Sequence, residues 1–179
     1  MYTLRDAAPD DLNFFVWIDI KDEGSSSSYM ASWEDAAWAR HRAEMAAFLA
    51  PASPERFAFV VERAGDRIAG LCGQIERLDP ETSWLLRAGV PAAPFPADGR
   101  YAAIFQLWVD AAHRRRGLGT RLKQRAEAAA LERGVRAIYT HTESSNAHVL
   151  MLNQRLGYRE IWRGPMWDAH ERVSLLKLL

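Results

Sequence analysis

Three consecutive arginines and two glycines lie within the stretch His113–Arg121, whose sequence is HRRRGLGTR. It follows an aromatic and β-branched run, YAAIFQLWVD, and precedes a run with apolar residues at helical spacing. The first amides of a helix carry partial positive charge and bind anions. Glycine at position 117 or 119 lets the backbone take unusual torsions and approach phosphate oxygens closely. The spacing therefore predicts a phosphate or pyrophosphate site made mainly by backbone amides, with the arginines as helpers.

Two well-known phosphate motifs do not fit this stretch. A P-loop needs a lysine and then a serine or threonine after its last glycine, whereas Gly119 is followed by Thr120 and Arg121. A dinucleotide fingerprint needs a third glycine, and position 122 is a leucine. The stretch therefore favours neither a nucleoside triphosphatase nor a dinucleotide-binding enzyme.

The elements that must position this stretch are strands interspersed with helices. Hydrophobic patterns predict strands at YTLRDA, RFAFVVER, RIAGLCGQIER, YAAIFQLWVD, VRAIYTHTE, YREIWRG and RVSLLKLL. Two helices follow the first strand, a third begins at Leu118, and a fourth, AHVLMLNQRL, follows Asn146. Residues 78–99, rich in proline and apolar residues, are either a substrate lid or a loop packed back on the protein. We therefore expect one α/β domain, residues 1–179, whose mixed sheet is covered by helices.

Two motifs make the chain resemble the GNAT superfamily of acyl-CoA-dependent N-acyltransferases. RRRGLG, residues 114–119, fits the family's pattern of Gln or Arg, two residues, Gly, one residue, and Gly or Ala. IYTHTESSNAHVLMLNQRLGY, residues 138–158, fits its strand, asparagine, helix and closing Leu-Gly-Tyr. The resemblance implies an α/β (α+β) domain with a mixed, mostly antiparallel sheet of about seven strands, splayed between strands 4 and 5 and flanked by about four helices. It also implies transfer of an acetyl group from acetyl-CoA to a primary amine by direct attack in a ternary complex.

The same resemblance assigns residues to acetyl-CoA, the co-substrate. It implies that the backbone at the end of the fourth strand pairs with the pantetheine arm, that the following loop holds the pyrophosphate, and that Asn146 bonds the pantetheine. Asn153 is added by helical spacing, because seven residues on it lies on the same helix face and can point at the same ligand. In chain order these residues are Leu107, Trp108, Val109, Arg114, Arg115, Arg116, Gly117, Leu118, Gly119, Thr120, Asn146 and Asn153. From position alone Asn146 is also a helix cap, and Asn153 equally suits a solvated polar face.

The proton carriers of the reaction depart from the family's pattern. Many relatives have a glutamate and a tyrosine where this chain has Gln106 and Asn153, and neither amide can ionise. Glu76, His141 and Glu143 are the alternatives, of which His141 and Glu143 are the candidate catalytic residues. Strand alternation places these last two on one side of the fifth strand, and a structural or solvated role for each stays open.

Bulk composition argues against several other functions. Lys and Arg together number 23, as do Asp and Glu, so the neutral chain lacks the positive field of nucleic-acid or anionic-membrane binders. No apolar run approaches the roughly 20 residues of a membrane span, and the N-terminus lacks a signal-peptide pattern. The one cysteine, Cys72, lies in an apolar run and is interpreted as a buried strand thiol. We expect a cytoplasmic protein that uses no metal.

Partner and alternative function stay open at this point. The expected partner is a small-molecule or peptide amine, and a homodimer is one option for the oligomeric state. A non-catalytic acyl-CoA-binding or sensing domain is the alternative function, because it would keep the site at residues 114–120 without needing proton carriers.

Overall fold

The computed structural model describes residues 1–22, 34–50 and 53–179. The strands are β1 (Thr3–Asp6), β2 (Arg56–Arg63), β3 (Asp66–Arg77), β4 (Arg100–Val109), β5 (Ala137–Glu143), β6 (Arg159–Pro165) and β7 (Glu171–Leu178). The α-helices are α1 (Leu12–Asp22), α2 (Asp35–Leu49), α3 (Trp84–Arg87), α4 (Leu118–Glu132) and α5 (Ala147–Arg155). Within these described ranges, the short helix α3 was not predicted, and the other helices and all the predicted strands are present.

The strands form one seven-stranded sheet in the order β1-β2-β3-β4-β5-β7-β6. β4 and β5 are parallel, whereas β1 with β2, β5 with β7, and β6 with β7 are antiparallel. This confirms the predicted mixed, mostly antiparallel sheet. The parallel register joins Ala102–Ile104 to Ile138–Thr140, and β4 continues beyond it to Val109. Pairing with β5 therefore ends well before β4 does, as the predicted splay requires.

The turn between β2 and β3 is the tight hairpin that the sequence predicted. Its two residues, Ala64 and Gly65, have φ values of 52° and 90°. Two successive residues with positive φ suit a type I′ turn, whose twist matches that of the flanking strands. Glycine takes this conformation without the steric cost that a side chain brings.

Within the described residues the chain contains two compact units. The first comprises Met1–Cys72 and Gln106–Leu122. Its core joins apolar residues of α1, α2, β2 and β3, namely Phe14, Phe15, Ile18, Met45, Leu49, Val60 and Cys72. A side chain at Gly70 on β3 would come within 2.8 Å of the Phe14 ring, so the glycine allows α1 to lie close to the sheet. Cys72 is the predicted buried thiol, and burial followed by the charge of Asp19 raises its pKa.

The second unit comprises Gly73–Phe105 and Lys123–Leu179. Its core draws on β4, β5, β7 and the 78–99 stretch, through Leu85, Val90, Phe95, Tyr101, Ala103, Ala137, Tyr139 and Leu176. Leu85, Val90 and Phe95 are buried there, so the 78–99 stretch packs onto the unit through its own apolar side chains. This favours the packed loop over the lid. Among the described helices, none is long and apolar enough to cross a membrane.

Candidate functional site

Hydrogen bonds hold the segment between β4 and α4 in place. The Asp110 backbone N–H donates to the carbonyl of Ile68 at 2.9 Å. The Asp110 carboxylate accepts the N–H of Ala112 at 2.8 Å, which caps a short 3-10 turn. Arg114 Nε then donates to the carbonyl of Val109 at 3.0 Å. These contacts fix the direction in which the chain leaves the sheet.

Two residues of this segment have left-handed backbone torsions. The φ values are 59° at Arg115 and 77° at Gly117. Torsions of this kind turn successive N–H groups toward one side and form an anion-binding concavity, or nest. A Cβ on Gly117 would meet no atom within 4 Å, so glycine suits this position because of its backbone torsion and not because of crowding. Of the two glycines with predicted unusual torsions, Gly119 is instead helical, and the left-handed torsion at Arg115 was not predicted.

The nest leads directly into α4. The first N–H groups of a helix have no partner within the helix, so those of Leu118, Gly119 and Thr120 add to the donors of the nest. Leu118 and Leu122 are 2% and 0% exposed and anchor the start of the helix in the first unit. The partial positive charge of the helix end therefore acts beside the nest.

The arginine side chains contribute less than their number suggests. All three of Arg114, Arg115 and Arg116 are exposed. Arg114 is used to bind the end of β4, as described above. Exposed charges are screened by water and salt, so the backbone amides are the more directional donors at this position.

The last residues of β4 lie beyond its pairing with β5. The ring of Trp108 packs edge-on against Trp17 and Phe14 of α1, with centroids 4.9 and 6.0 Å away. Alternate residues of a strand face opposite sides, so Gln106 shares this α1-facing side with Trp108. The side chain of Trp108 is thus committed to the first unit's core, and the backbone of Leu107–Val109 is what this strand end can offer a ligand.

Gln106 connects β4 to both early helices. It is 2% exposed, and its Nε2 donates to Oδ1 of Asp19 on α1. The other oxygen of that carboxylate, Oδ2, lies 3.0 Å from Nε2 of His41 on α2. Gln106 Oε1 is buried without a hydrogen-bond partner among the described residues. Asp19 and His41 were not among the predicted site residues, because no local spacing relates them to Gln106.

In the second unit, His141 lies in an aromatic cluster. Its ring centroid is 5.0 Å from that of Trp167, 5.9 Å from that of Trp84 and 6.0 Å from that of Tyr139. Trp84 also contacts Tyr139, with centroids 6.4 Å apart. Tyr139 and His141 therefore share one side of β5, as the alternation predicted.

The surroundings of His141 disfavour its charged form. Burial, and then the positive charge of Arg172, lower the pKa of His141 to about 4. Arg172 is 3% exposed, pairs with both carboxylate oxygens of Asp168, and stacks 4.0 Å from the centroid of Trp167. His141 is thus neutral at pH 7, and its Nδ1 is buried without a hydrogen-bond partner in the described part of the chain.

The two glutamates named as alternatives differ in their contacts. Glu143 ends β5, is half-buried, and accepts a hydrogen bond from Ser145 Oγ at 3.4 Å. Glu76 accepts from the Tyr101 hydroxyl at 2.6 Å and from Gln74 Nε2 at 2.9 Å. Burial, and then Glu76, raise the pKa of Tyr101. With both oxygens engaged inside the unit, Glu76 is less available to a substrate than Glu143.

The two asparagines of α5 differ in exposure. Asn146 is exposed and caps the helix, because its Oδ1 accepts the N–H of Val149 at 3.3 Å. Asn153 is 0% exposed, and its Nδ2 donates to the carbonyl of Val149 at 3.0 Å. The interpretation of Asn153 as part of a solvated face is therefore wrong. Its Oδ1 has no hydrogen-bond partner among the described residues. Across residues 1–22, 34–50 and 53–179, no group of His, Cys, Asp and Glu could hold a metal ion.

A comparison with protein families bears on these observations. The model of the acetyltransferase (GNAT) family matches residues 17–158, which is more than half of the chain. The chain belongs to this family. The resemblance drawn from the motifs at 114–119 and 138–158 is thereby confirmed. No curated protein matches the sequence of this GNAT protein.

Several solved structures share the fold of this GNAT protein. Arabidopsis thaliana NAA60 in complex with acetyl-CoA has a TM-score of 0.72 at 15% identity, covering 100% of this chain and 99% of that one. The ribosomal-protein-S18-alanine N-acetyltransferase of Escherichia coli has a TM-score of 0.67 at 17% identity, covering 99% and 94%. The Salmonella typhimurium protein yncA, with its cofactor acetyl-CoA, has a TM-score of 0.66 at 17% identity, covering 100% and 94%. At such identities the similarity concerns the fold.

The predicted site residues of this GNAT protein divide between its two units. The end of β4 (107–109), the nest and the start of α4 (114–120) belong to the first unit. His141, Glu143, Asn146 and Asn153 belong to the second. The first set thus offers backbone donors, and the second offers titratable and amide side chains.

Proposed function

We propose that this protein transfers an acetyl group from acetyl-CoA to a primary amine by direct attack in a ternary complex. The observation that carries the proposal is the nest at Arg115–Gly117, which opens into the N-terminus of α4. A concave set of amides at a helix N-terminus suits a pyrophosphate, as CoA carries. Membership of the GNAT acetyltransferase family supports acetyl transfer in general.

The rest of the co-substrate would extend from the nest along β4. Backbone groups of Leu107–Val109 would pair with the pantetheine amides as an added strand does. The N–H of Leu107 or Trp108 would polarise the thioester carbonyl, because charge develops on that oxygen during attack. The resemblance adds Asn146, and helical spacing adds Asn153, whose buried Oδ1 is an acceptor able to bind an amide N–H.

His141 and Glu143 are our proposed proton carriers in the second unit. His141 is neutral, with a pKa of about 4, and therefore has a vacant nitrogen at neutral pH. Glu143 is half-buried at the end of the same strand. We expect Glu143→Gln or His141→Ala to lower turnover and change its pH profile at little cost in acetyl-CoA affinity. Unchanged rates would remove that residue from the mechanism.

We propose a peptide α-amine as the acceptor ahead of a small amine. Support comes from the names of proteins of similar fold, which include the ribosomal-protein-S18-alanine N-acetyltransferase and a NatC complex bound to Gag peptide. The single domain over residues 1–179, the cytoplasmic location and the homodimer stay predictions.

Two measurements test the proposal in sequence. Acetyl-CoA should raise the thermal unfolding midpoint, with a stabilisation of about 2.7 kcal/mol at a hundredfold excess over Kd. Release of free thiol from acetyl-CoA is then followed with three amines: the peptide Ala-Gly-Gly-Phe, Nα-acetyl-lysine amide and spermidine. Absence of any midpoint shift at saturating acetyl-CoA would refute the site itself.

A non-catalytic acyl-CoA-binding domain is the second candidate. It is favoured by the amides at Gln106 and Asn153, which cannot carry protons, and by the low pKa of His141. Such a domain would be stabilised by acetyl-CoA and release no thiol with any of the three amines. Thiol release that depends on an amine would exclude it.

A further inference from the structure

A chain of polar contacts in the first unit joins β4, α1 and α2. Gln106 donates to one oxygen of Asp19, and the other oxygen lies 3.0 Å from His41 Nε2. The amide therefore orients the carboxylate, which lies beside the imidazole. A carboxylate beside an imidazole nitrogen is the arrangement in which the ring can serve as a base during a reaction.

These side chains are enclosed without being sealed. Gln106 is 2% exposed, whereas the side chains of Asp19 and His41 keep 18% and 19% exposure. Water can thus reach part of each side chain, whereas His41 Nε2 itself is buried and screening there is reduced. The charge of Asp19 acts on its surroundings, since after burial it is the second cause that raises the pKa of Cys72.

The polar contacts between Gln106, Asp19 and His41 begin beside the end of β4, the strand end proposed to hold the co-substrate. Gln106 directly precedes Leu107–Val109, whose backbone would pair with the pantetheine arm. The neutral amide at position 106 also suits its partner. A glutamate there would set two carboxylates against each other, whereas an amide donates to Asp19 and leaves a single negative charge.

We propose that the Asp19–His41 pair takes the proton that the acceptor ammonium must lose before it attacks the thioester. This proposal rests on the acetyltransferase function proposed above. It concerns the first of the two protons that the nitrogen loses. The proposal for His141 and Glu143 is tested separately.

The acceptor enters this step as a primary ammonium. One N–H bond breaks, its electron pair stays on nitrogen, and the proton goes to the imidazole of His41, whose new charge Asp19 offsets. The neutral nitrogen forms a bond to the carbonyl carbon while the π pair of the C=O bond moves to oxygen, and that pair re-forms the C=O bond when the thiolate leaves. The C–S bond then breaks with its electrons on sulfur, and the nitrogen's second proton ends on that thiolate. His41 returns its proton to water.

The full-length protein and five variants test the pair. Three variants remove the Asp19–His41 pair: Asp19→Asn, His41→Gln and the double variant of both. A fourth combines Asp19→Asn with Gln106→Glu, which moves the carboxylate to β4 and keeps an amide–carboxylate contact. His170→Gln is the matched control, because His170 Nδ1 lies 3.3 Å from Asp168 Oδ1 in a second, more exposed Asp–His pair. Thiol release is measured from pH 6 to 9.5 with whichever of the three named amines reacts fastest.

The expected result is a loss in kcat of at least about 100-fold for each single variant, with the KM for acetyl-CoA within about threefold of wild type. The double variant should be no slower than either single one, because the two groups act as a unit. The exchanged variant should recover at least about tenfold over Asp19→Asn. His170→Gln should match wild type.

Three outcomes would overturn the proposal. Rates of Asp19→Asn and His41→Gln within about threefold of the control would do so. A loss of equal size at every pH, with the low-pH limb of kcat/KM unchanged, would show a merely structural link. In the unaltered protein, NMR of the His41 imidazole gives a titration midpoint, which must agree within about half a pH unit with the midpoint of the low-pH limb of kcat/KM. A mismatch between the two midpoints overturns the proposal even if the variants fail to fold. Wild type that releases no thiol with any amine would instead refute the acetyltransferase function itself.

Discussion

Lys123 on α4 is a buried amine whose charge should lower the stability of the protein. The residue is 1% exposed, and its Nζ lies 4.1 Å from the centroid of the Tyr158 ring. That Nζ has no hydrogen-bond partner among the described residues. Burial lowers the pKa of Lys123 to about 7, against the opposing charge of Glu127. We expect Lys123→Met, which keeps the apolar chain and removes the amine, to stabilise the protein at pH 7.

The size of the effect follows from the two pKa values. An unfolded lysine titrates near 10.5, so between pH 7 and that value the unfolded chain binds more protons than the folded one. Stability of the wild type should then rise with pH, by up to about 1.4 kcal/mol per pH unit. From pH 7 to 9.5 this amounts to roughly 3 kcal/mol, while below pH 7 the penalty for the buried charge is constant.

Urea unfolding followed by circular dichroism between pH 6.5 and 9.5 measures this difference. Lys123→Met should exceed wild type most at low pH, and the two free energies of unfolding should converge as pH rises. Lys177→Met is the control, because Lys177 pairs with Glu127 at 2.7 Å and its loss should lower stability. Parallel curves for wild type and Lys123→Met, or a less stable Lys123→Met at every pH, would refute the argument.

Three further predictions concern the nest, a buried ion pair and the thiol. Gly117→Ala places a side chain at φ 77° and into the open nest, so it should cost about 1 kcal/mol and weaken acetyl-CoA binding at least roughly tenfold in a thermal-shift titration. Gly65→Ala, at φ 90° in the hairpin, should cost similar stability and leave that affinity intact, and equal affinities of the two variants would contradict the nest. Burial alone would raise the pKa of Asp11, but hydrogen bonds, first from Arg5, lower that pKa to about 2. The ionised carboxylate therefore stabilises the folded protein above pH 4, and this stabilisation is lost as pH falls toward 2. Asp11→Asn should therefore cost roughly 3 kcal/mol at pH 7 in urea unfolding, and an unchanged midpoint would count against this. Cys72, 0% exposed with a raised pKa, should resist a thiol-reactive disulfide in the native state, and fast modification would show otherwise.

Local sequence patterns were sufficient for the strands, the longer helices and the segment at 114–120. Periodicity and turn composition act over a few residues, so the hairpin at Ala64–Gly65 and the start of α4 at Leu118 can be predicted without tertiary contacts. The cap at Asn146 is local for the same reason. Even here, the left-handed torsion at Arg115 was not predictable, because arginine has no preference for it.

Only the tertiary structure decided the surroundings of the side chains that could carry protons. The burial of Asn153, the aromatic cluster and Arg172 around His141, and the contact of Gln106 with Asp19 and His41 each join residues from separate elements. Such contacts depend on how helices and strands pack, and no spacing along the chain encodes them. The sequence by itself therefore determined the family and predicted a phosphate-binding segment, whereas packing determined which groups are charged, buried or within reach of one another.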